Sequence, residues 1–194
     1  MILETEFDIV APHASSLIES LRAFSYELPT ALADLIDNSI TAGAKNIWVD
    51  FNWDGESSVI AVTDDGQGMS EQQLVSAMRP GSQNPLKVRE PHDSGRFGLG
   101  LKTASFSQCR RVTVRSLVQE RGAATRCWDL DHVARVNDWQ LLRVADAAAV
   151  PHFRRLSELP HGTAVIWQQL DRLVANQRTD NEREQLMFLQ RANA

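Results

Sequence analysis

The chain has 194 residues, 43 % of them hydrophobic and 23 % charged, with a formal charge of −5 at pH 7. That length supports one well-buried core, or a domain with a short appendage. The negative balance excludes a domain-wide cationic field for nucleic acid. No apolar run reaches the length needed to cross a bilayer, and the N-terminal Met1-Ile2-Leu3-Glu4-Thr5-Glu6 is acidic where a secretory signal is basic. A cytoplasmic address with no membrane partner is therefore expected. Cys109 and Cys127 fit no metal-ligand spacing and read as buried free thiols. A polyanionic ligand would have to be held by glycine-rich turns and single well-placed cations.

In chain order, apolar periodicity predicts a short helix over Ser15–Phe24 and a second over Leu28–Ala42, with Leu32, Leu35, Ile36 and Ile40 along one face. Two strands follow, Asn46–Asn52 and Ser57–Thr63, joined through Trp53-Asp54-Gly55-Glu56, whose Asp-Gly is a hairpin turn signal. Ser70 with Gln73 forms a capping-box pattern that opens a helix to about Met78. Pro80–Ser94 is rich in Gly, Pro, Ser, Asn and charge and has no periodicity, which marks a lid, a binding loop or disorder. A helix is expected over Leu99–Gln108, then strands at Arg111–Val118, Ala124–Leu130, Trp139–Val144 and Thr163–Gln168, and a polar helix over Asp180–Ala192. Helices first and most strands later, with hairpin-length connections, predict an α+β two-layer sandwich rather than a parallel βαβ array. The closing Arg191-Ala192-Asn193-Ala194 carries no terminating signal, so the chain reads as the N-terminal part of a longer protein.

Four stretches carry candidate chemistry. In Ala31-Leu32-Ala33-Asp34-Leu35-Ile36-Asp37-Asn38, Asp34 and Asn38 stack one helical turn apart, away from Leu32 and Ile36. A carboxylate next to a carboxamide oxygen suits a water-activating base beside a hard-cation ligand, and equally a solvated polar face. Thr63-Asp64-Asp65-Gly66-Gln67-Gly68-Met69 follows an apolar strand. Its glycines allow a tight turn and close approach to a flat ligand, and an acid at the strand end accepts a hydrogen bond from an exocyclic amine such as that of adenine. An Asp-Gly turn without ligand fits the same residues. Gly95-Arg96-Phe97-Gly98-Leu99-Gly100-Leu101-Lys102-Thr103 is a glycine-rich turn opening a helix, which presents unpaired N–H groups to phosphate while Lys102 adds a point charge. It matches neither a Walker A loop nor a dinucleotide fingerprint. His161-Gly162-Thr163-Ala164-Val165-Ile166-Trp167 is a turn feeding a strand, and by itself it means little.

In this order and at these distances the four stretches resemble the GHKL ATPases, which carry the Bergerat ATP-binding fold. That superfamily includes gyrase B subunits, heat-shock chaperone ATPases, MutL-type mismatch-repair proteins, MORC proteins and histidine-kinase catalytic domains. The resemblance covers roughly Leu17 to Leu170, with a core of about 15–170 inside a single domain over 1–194. It implies helices packed on one face of a mixed, mostly antiparallel sheet. By position it makes Asp34 the general base, Asn38 the Mg²⁺ ligand and Asp64 the adenine-reading acid. Gly66 and Gly68 would give close approach, Met69 would pack near the base, and Thr163 would support Asp64 by a hydrogen bond. Gly98, Leu99, Gly100 and Leu101 would offer N–H groups to phosphate, with Arg96 and Thr103 beside them and Lys102 at the terminal phosphates. Residues 80–96 would be the ATP lid. Asp34 departs from the glutamate most common in the family and is one methylene shorter.

The first motif most resembles MORC-like and MutL-like members. The resemblance implies ATP/ADP as ligands, Mg²⁺ as cofactor, and hydrolysis in an ATP-gated machine whose full-length form dimerises when ATP closes the lid. Nucleic acid would be reached only through domains outside this chain. A nucleotide-sensing module without hydrolysis is the first alternative and a histidine-kinase-type catalytic domain the second. The roles of Asp37 and Asp65 stay open at this level.

Overall fold

Every residue of β2 (Val59–Asp64) and β5 (Gly162–Gln168) is buried, as central strands covered on both faces require. The structure, a computed structural model, describes Asp8, Val10 and residues 12–23, 27–81 and 100–173. It contains α1 (Ala14–Arg22), α2 (Leu28–Thr41), β1 (Ile47–Asn52), β2, α3 (Glu71–Met78), α4 (Gly100–Gln108), β3 (Arg111–Val118), β4 (Gly122–Asp129), α5 (Leu130–Val136), α6 (Arg154–Ser157) and β5. The five strands lie in the order β1-β2-β5-β3-β4, and every neighbouring pair is antiparallel. A mixed, mostly antiparallel sheet was expected, and the described strands are antiparallel throughout. The strand that arrives last, β5, inserts between β2 and β3 and runs against both, so two strands of like direction never become neighbours.

The period-2 alternation of strands divides two cores. Ile60, Val62, Val112, Val114, Val165 and Trp167 face α1–α5 and form the main core with Ile18, Leu32, Leu35, Leu74 and Phe106. Each fully buried Leu or Ile there contributes about 1.5–3 kcal/mol. Val59, Ala61, Ala164 and Ile166 face the other way and meet Ala149, Phe153 and Leu156. The principal helices thus share one face as expected, while a short 3-10 and helical segment over 147–157, without a signature in the sequence reading, covers the back.

The strand expected at Trp139–Val144 is a single bridge between Leu142 and Cys127. Asp138 accepts the Trp139 N–H at 2.8 Å and turns the chain, and Trp139 packs edge-on to Trp128 with ring centroids 6.0 Å apart. The apolar residues that looked like a strand are used to cover the main core. The capping box at Ser70 and Gln73 forms in full. Of the expected lid only Pro80 and Gly81 fall within the described residues, and the expected helix over 180–192 lies outside them.

Candidate functional site

Alternation and register together place three polar residues side by side. Asp64 lies opposite Thr163, and Thr163 opposite Ser116, so the row crosses three adjacent strands on the helix-covered face. All three are buried. Asp64 Oδ1 accepts the Gly66 N–H at 2.8 Å, and Oδ2 accepts the Ser39 hydroxyl from α2 at 3.0 Å. Burial raises the Asp64 carboxyl above the usual range, and the donors from Gly66, Ser39 and the Thr163 backbone pull it back. The Thr163 hydroxyl itself pairs with Ser116 Oγ at 2.8 Å, and Ser116 Oγ accepts the Met69 N–H at 2.7 Å. Met69 is thereby tied to β3 and packs against the main core.

The turn after Asp64 is held from several sides. Asp65 accepts the N–H groups of Lys45 and Asn46 at 2.7 and 2.9 Å and the Asn46 amide at 2.8 Å. Those donors, Asn46 first, hold its carboxyl below the usual range, and they lock the α2–β1 turn to the end of β2. The Gly66 carbonyl accepts from His161 Nδ1 at 2.7 Å, which fixes the proton on that nitrogen. A Cβ on Gly66 would meet Ala42 Cβ and Asp64 Oδ1, both at 2.9 Å. Gly68 has φ +71°, and a Cβ there would collide with the Leu117 carbonyl. The expected close approach was to a ligand; what both glycines approach in the structure is the protein's own backbone and side chains. Gly162, at φ +147°, stands the same way against the Asp64 carbonyl.

On α2, Asp34 is half-buried, while Asp37 and Asn38 are exposed. On α4, Gly100 opens the helix, Leu101 and Thr103 are half-buried, and Lys102 is buried. Its ammonium donates to the Ala77 carbonyl at 2.9 Å, in the last turn of α3. Trp128 Nε1 donates to the next carbonyl, Met78, at 2.8 Å. Two side chains thus satisfy carbonyls that a helix end leaves orphaned. Burial lowers the Lys102 ammonium to about 8. The far end of α4 is fixed by buried Arg22, which donates to the carbonyls of Phe106 and Cys109, each at 2.7 Å. Trp167 Nε1 adds a bond to Ser105 Oγ at 2.8 Å.

Asp64, Gly66, Gly68, Met69 and Thr163 are brought together as one built unit. Asp34 and Asn38 share a helix, Gly100–Thr103 share another, and α2 packs on α4. Arg96, Gly98 and Leu99 lie outside the described residues. Ser39 and Ser116 were not singled out in the sequence, and His161 and Gly162 entered only as the start of the fourth stretch, without a role. A signal existed for Ser116: it is the polar member of the series Val112, Val114, Ser116 on the core face of β3. Ser39 likewise falls on the buried side of α2.

The Asp64 carboxylate is an acceptor of the kind an adenine amine needs. Three donors, the Gly66 N–H, the Ser39 hydroxyl and the Thr163 backbone, reach the Asp64 carboxylate, which has about four acceptor positions, so one remains for an exocyclic amine. Among the described residues no group of three or more His, Cys, Asp or Glu could form a metal cage. A Mg²⁺ ion keeps its waters and substrate oxygens and needs only one or two protein ligands, and the exposed Asn38 amide oxygen is of the type that could serve as one.

Residues 26–163 match the family described as histidine kinase-, DNA gyrase B-, and HSP90-like ATPase. The chain is similar to the DNA mismatch repair protein MutL of Dictyoglomus turgidum, 30 % identical over 113 residues, or 57 % of this chain and 20 % of that protein. It is also similar to the ATPase morc-1 of Caenorhabditis elegans, 30 % identical over 83 residues, or 43 % of this chain and 9 % of that one. The MutL of Dictyoglomus thermophilum is 28 % identical over 113 residues, 57 % of this chain and 20 % of its own length. The matched part spans a fifth or less of these relatives. No helix among the described residues is long and apolar enough to cross a membrane.

Proposed function

The chain belongs to the histidine kinase-, DNA gyrase B- and HSP90-like ATPases, and from that membership we propose that it binds ATP with Mg²⁺ and hydrolyses it, as one module of a larger ATP-driven machine. The observation that carries the reading is Asp64: a buried carboxylate at a strand end, oriented by Gly66 and Ser39, with acceptor capacity to spare. Adenine offers an amine there and guanine a carbonyl, so guanine would leave the carboxylate facing another acceptor. At the other end, Asn38 offers its amide oxygen, and Asp34, one turn away, takes the proton of the attacking water. Mg²⁺, when bound, supplies charge neutralisation for the phosphate oxygens. Lys102 leaves the Ala77 carbonyl for the terminal phosphate. Lid closure over residues 80–96 and ATP-dependent pairing of the full-length protein complete the proposal. The MutL and MORC likeness supports a machine over a kinase.

Single-turnover phosphate release at high protein concentration, with Mg²⁺-dependent ATP binding measured alongside, tests the reading. Asp34→Asn keeps size and polarity, so ATP affinity should hold while turnover falls about 10²–10⁴-fold. Asn38→Ala should remove much of the Mg²⁺ dependence of binding. ATP binding without release of phosphate by the wild type, even when dimerised, would leave a sensing module. Transfer of the γ-phosphate to protein would make it a kinase.

A further inference from the structure

Among the described residues, the outer edge of the sheet is left half open. Cys127 donates to and accepts from Leu142, at 2.9 and 3.0 Å, so the N–H and C=O of Cys127 point away from β3. In an antiparallel ladder this orientation recurs at every second residue, so Thr125 and Ala123 also turn their backbone groups outward. A strand continuing from Leu142 would place Val144 across from Thr125. Val144 is 68 % exposed instead, because the chain leaves the edge after one bridge. The open stretch runs along a cleft of about 470 Å³, lined by residues 122–126 of β4 together with Met69, Glu71, Arg121 and Arg143.

The charge around this gap opposes that of the chain. Arg121 and Arg143 are exposed, and among the described residues neither has an ion-pair partner. Arg126 is buried and bonds Glu71 at 2.5 Å and the outward Thr125 carbonyl at 2.7 Å. Proteins that guard an open edge put charge, proline or a bulge on the edge strand itself. Here the edge is Gly122-Ala123-Ala124-Thr125, small and uncharged, and arginines flank it at both ends, Arg143 standing near enough to Glu71 to help lower its carboxyl. The span from Arg121 to Thr125 is about 13 Å at roughly 3.3 Å per residue.

We propose that the Gly122–Thr125 edge of β4 docks an extended acidic segment of a partner protein, which adds a strand beside Ala123 and Thr125 and places carboxylates on Arg121 and Arg143. Backbone pairing supplies affinity in this mode and the flanking charges supply selection. A nucleic-acid backbone is a poorer occupant, because it has no strand to match the outward amides.

Amide hydrogen exchange on the whole chain tests this, with a synthetic peptide alternating valine and glutamate as probe. The peptide should slow exchange at the amides of Ala123 and Thr125, and its valine–lysine counterpart should not. The exposed pair Arg121→Glu and Arg143→Glu should weaken binding at least about tenfold, and the pair Arg121→Lys and Arg143→Lys should retain most of it. Equal protection by both peptides, protection by neither, binding that survives the charge reversal, or stronger protection by a single-stranded oligonucleotide would each overturn the proposal. ATP takes no part in the assay, so its outcome is separable from that of the nucleotide reading.

Discussion

Asp64 at the end of β2 is 6 % exposed and held by donors from a turn and a neighbouring helix, whereas Asn38 on α2 is exposed and Asp34 beside it only half-buried. The first region is finished by the fold: beside Asp64, Asp65 closes the α2–β1 turn, Ser116 ties Met69 to β3, and the ladder holds β5 against β2. The second is a helix face and a helix start, where Lys102 is committed to the Ala77 carbonyl. A change at the finished end therefore disturbs stability and recognition together. Changes at the open end should act through charge and the identity of the phosphate.

The sharpest way to break this comparison is at Gly68. Gly68→Ala forces a Cβ into the Leu117 carbonyl from a left-handed backbone and should cost about 3 kcal/mol in chemical denaturation. Gly122→Ala shares the left-handed conformation, φ +80°, but has nothing within 4 Å, and should cost only about 1–2 kcal/mol. Equal losses would mean that the Leu117 contact yields and that the turn is less finished than described. Next in size is Asp64→Asn, which should weaken adenine-nucleotide binding by about 1.5–3 kcal/mol and reduce discrimination against GTP in calorimetry. Unchanged discrimination would remove Asp64 from base reading.

The smallest effect belongs to Lys102. Its folded value is lowered to about 8, below that of an exposed lysine. At lower pH both folded and unfolded chains hold the proton, and the fold bears the full cost of burying the charge. Between about 8 and the unfolded value the unfolded chain holds more protons, so this group makes stability rise with pH, by roughly 1–3 kcal/mol at most. Lys102→Met should flatten that rise in denaturation curves taken across the window. It should also weaken ATP more than ADP if the ammonium reaches the terminal phosphate.

Most of the fold was legible because its signals were local. The Ser70–Gln73 capping box, the apolar stripe of α2 and the alternation in β3 each belong to one short stretch, and each element formed within a residue or two of its expected bounds. The order of strands was not legible, because the insertion of β5 between β2 and β3 is a pairing across more than forty residues and leaves no periodicity. The same holds for the site. Asp64, Gly66 and Gly68 announce themselves in one turn, but Ser39 and Ser116 matter only because register carries them to Asp64 and Met69. Trp139–Val144 misled for the converse reason: its β-forming residues answer to Trp128 and the main core rather than to a ladder.

Buried Arg22 has a bearing on where this module can be cut. Its guanidinium is shared between the carbonyls at the end of α4 and the carboxylate of Asp171, at 2.5 Å, and Arg172 in turn donates to the Arg22 carbonyl at 3.0 Å. Both partners come after β5 has ended at Gln168. Trimming the chain at β5 would strip buried Arg22 of its nearest carboxylate, leaving Glu19 at 3.6 Å as its remaining ion pair, and would loosen the hold on the helix that carries Lys102. The smallest piece that keeps its parts in register therefore extends through Arg172, with α1 and the residues after β5 serving as the two halves of a single clasp.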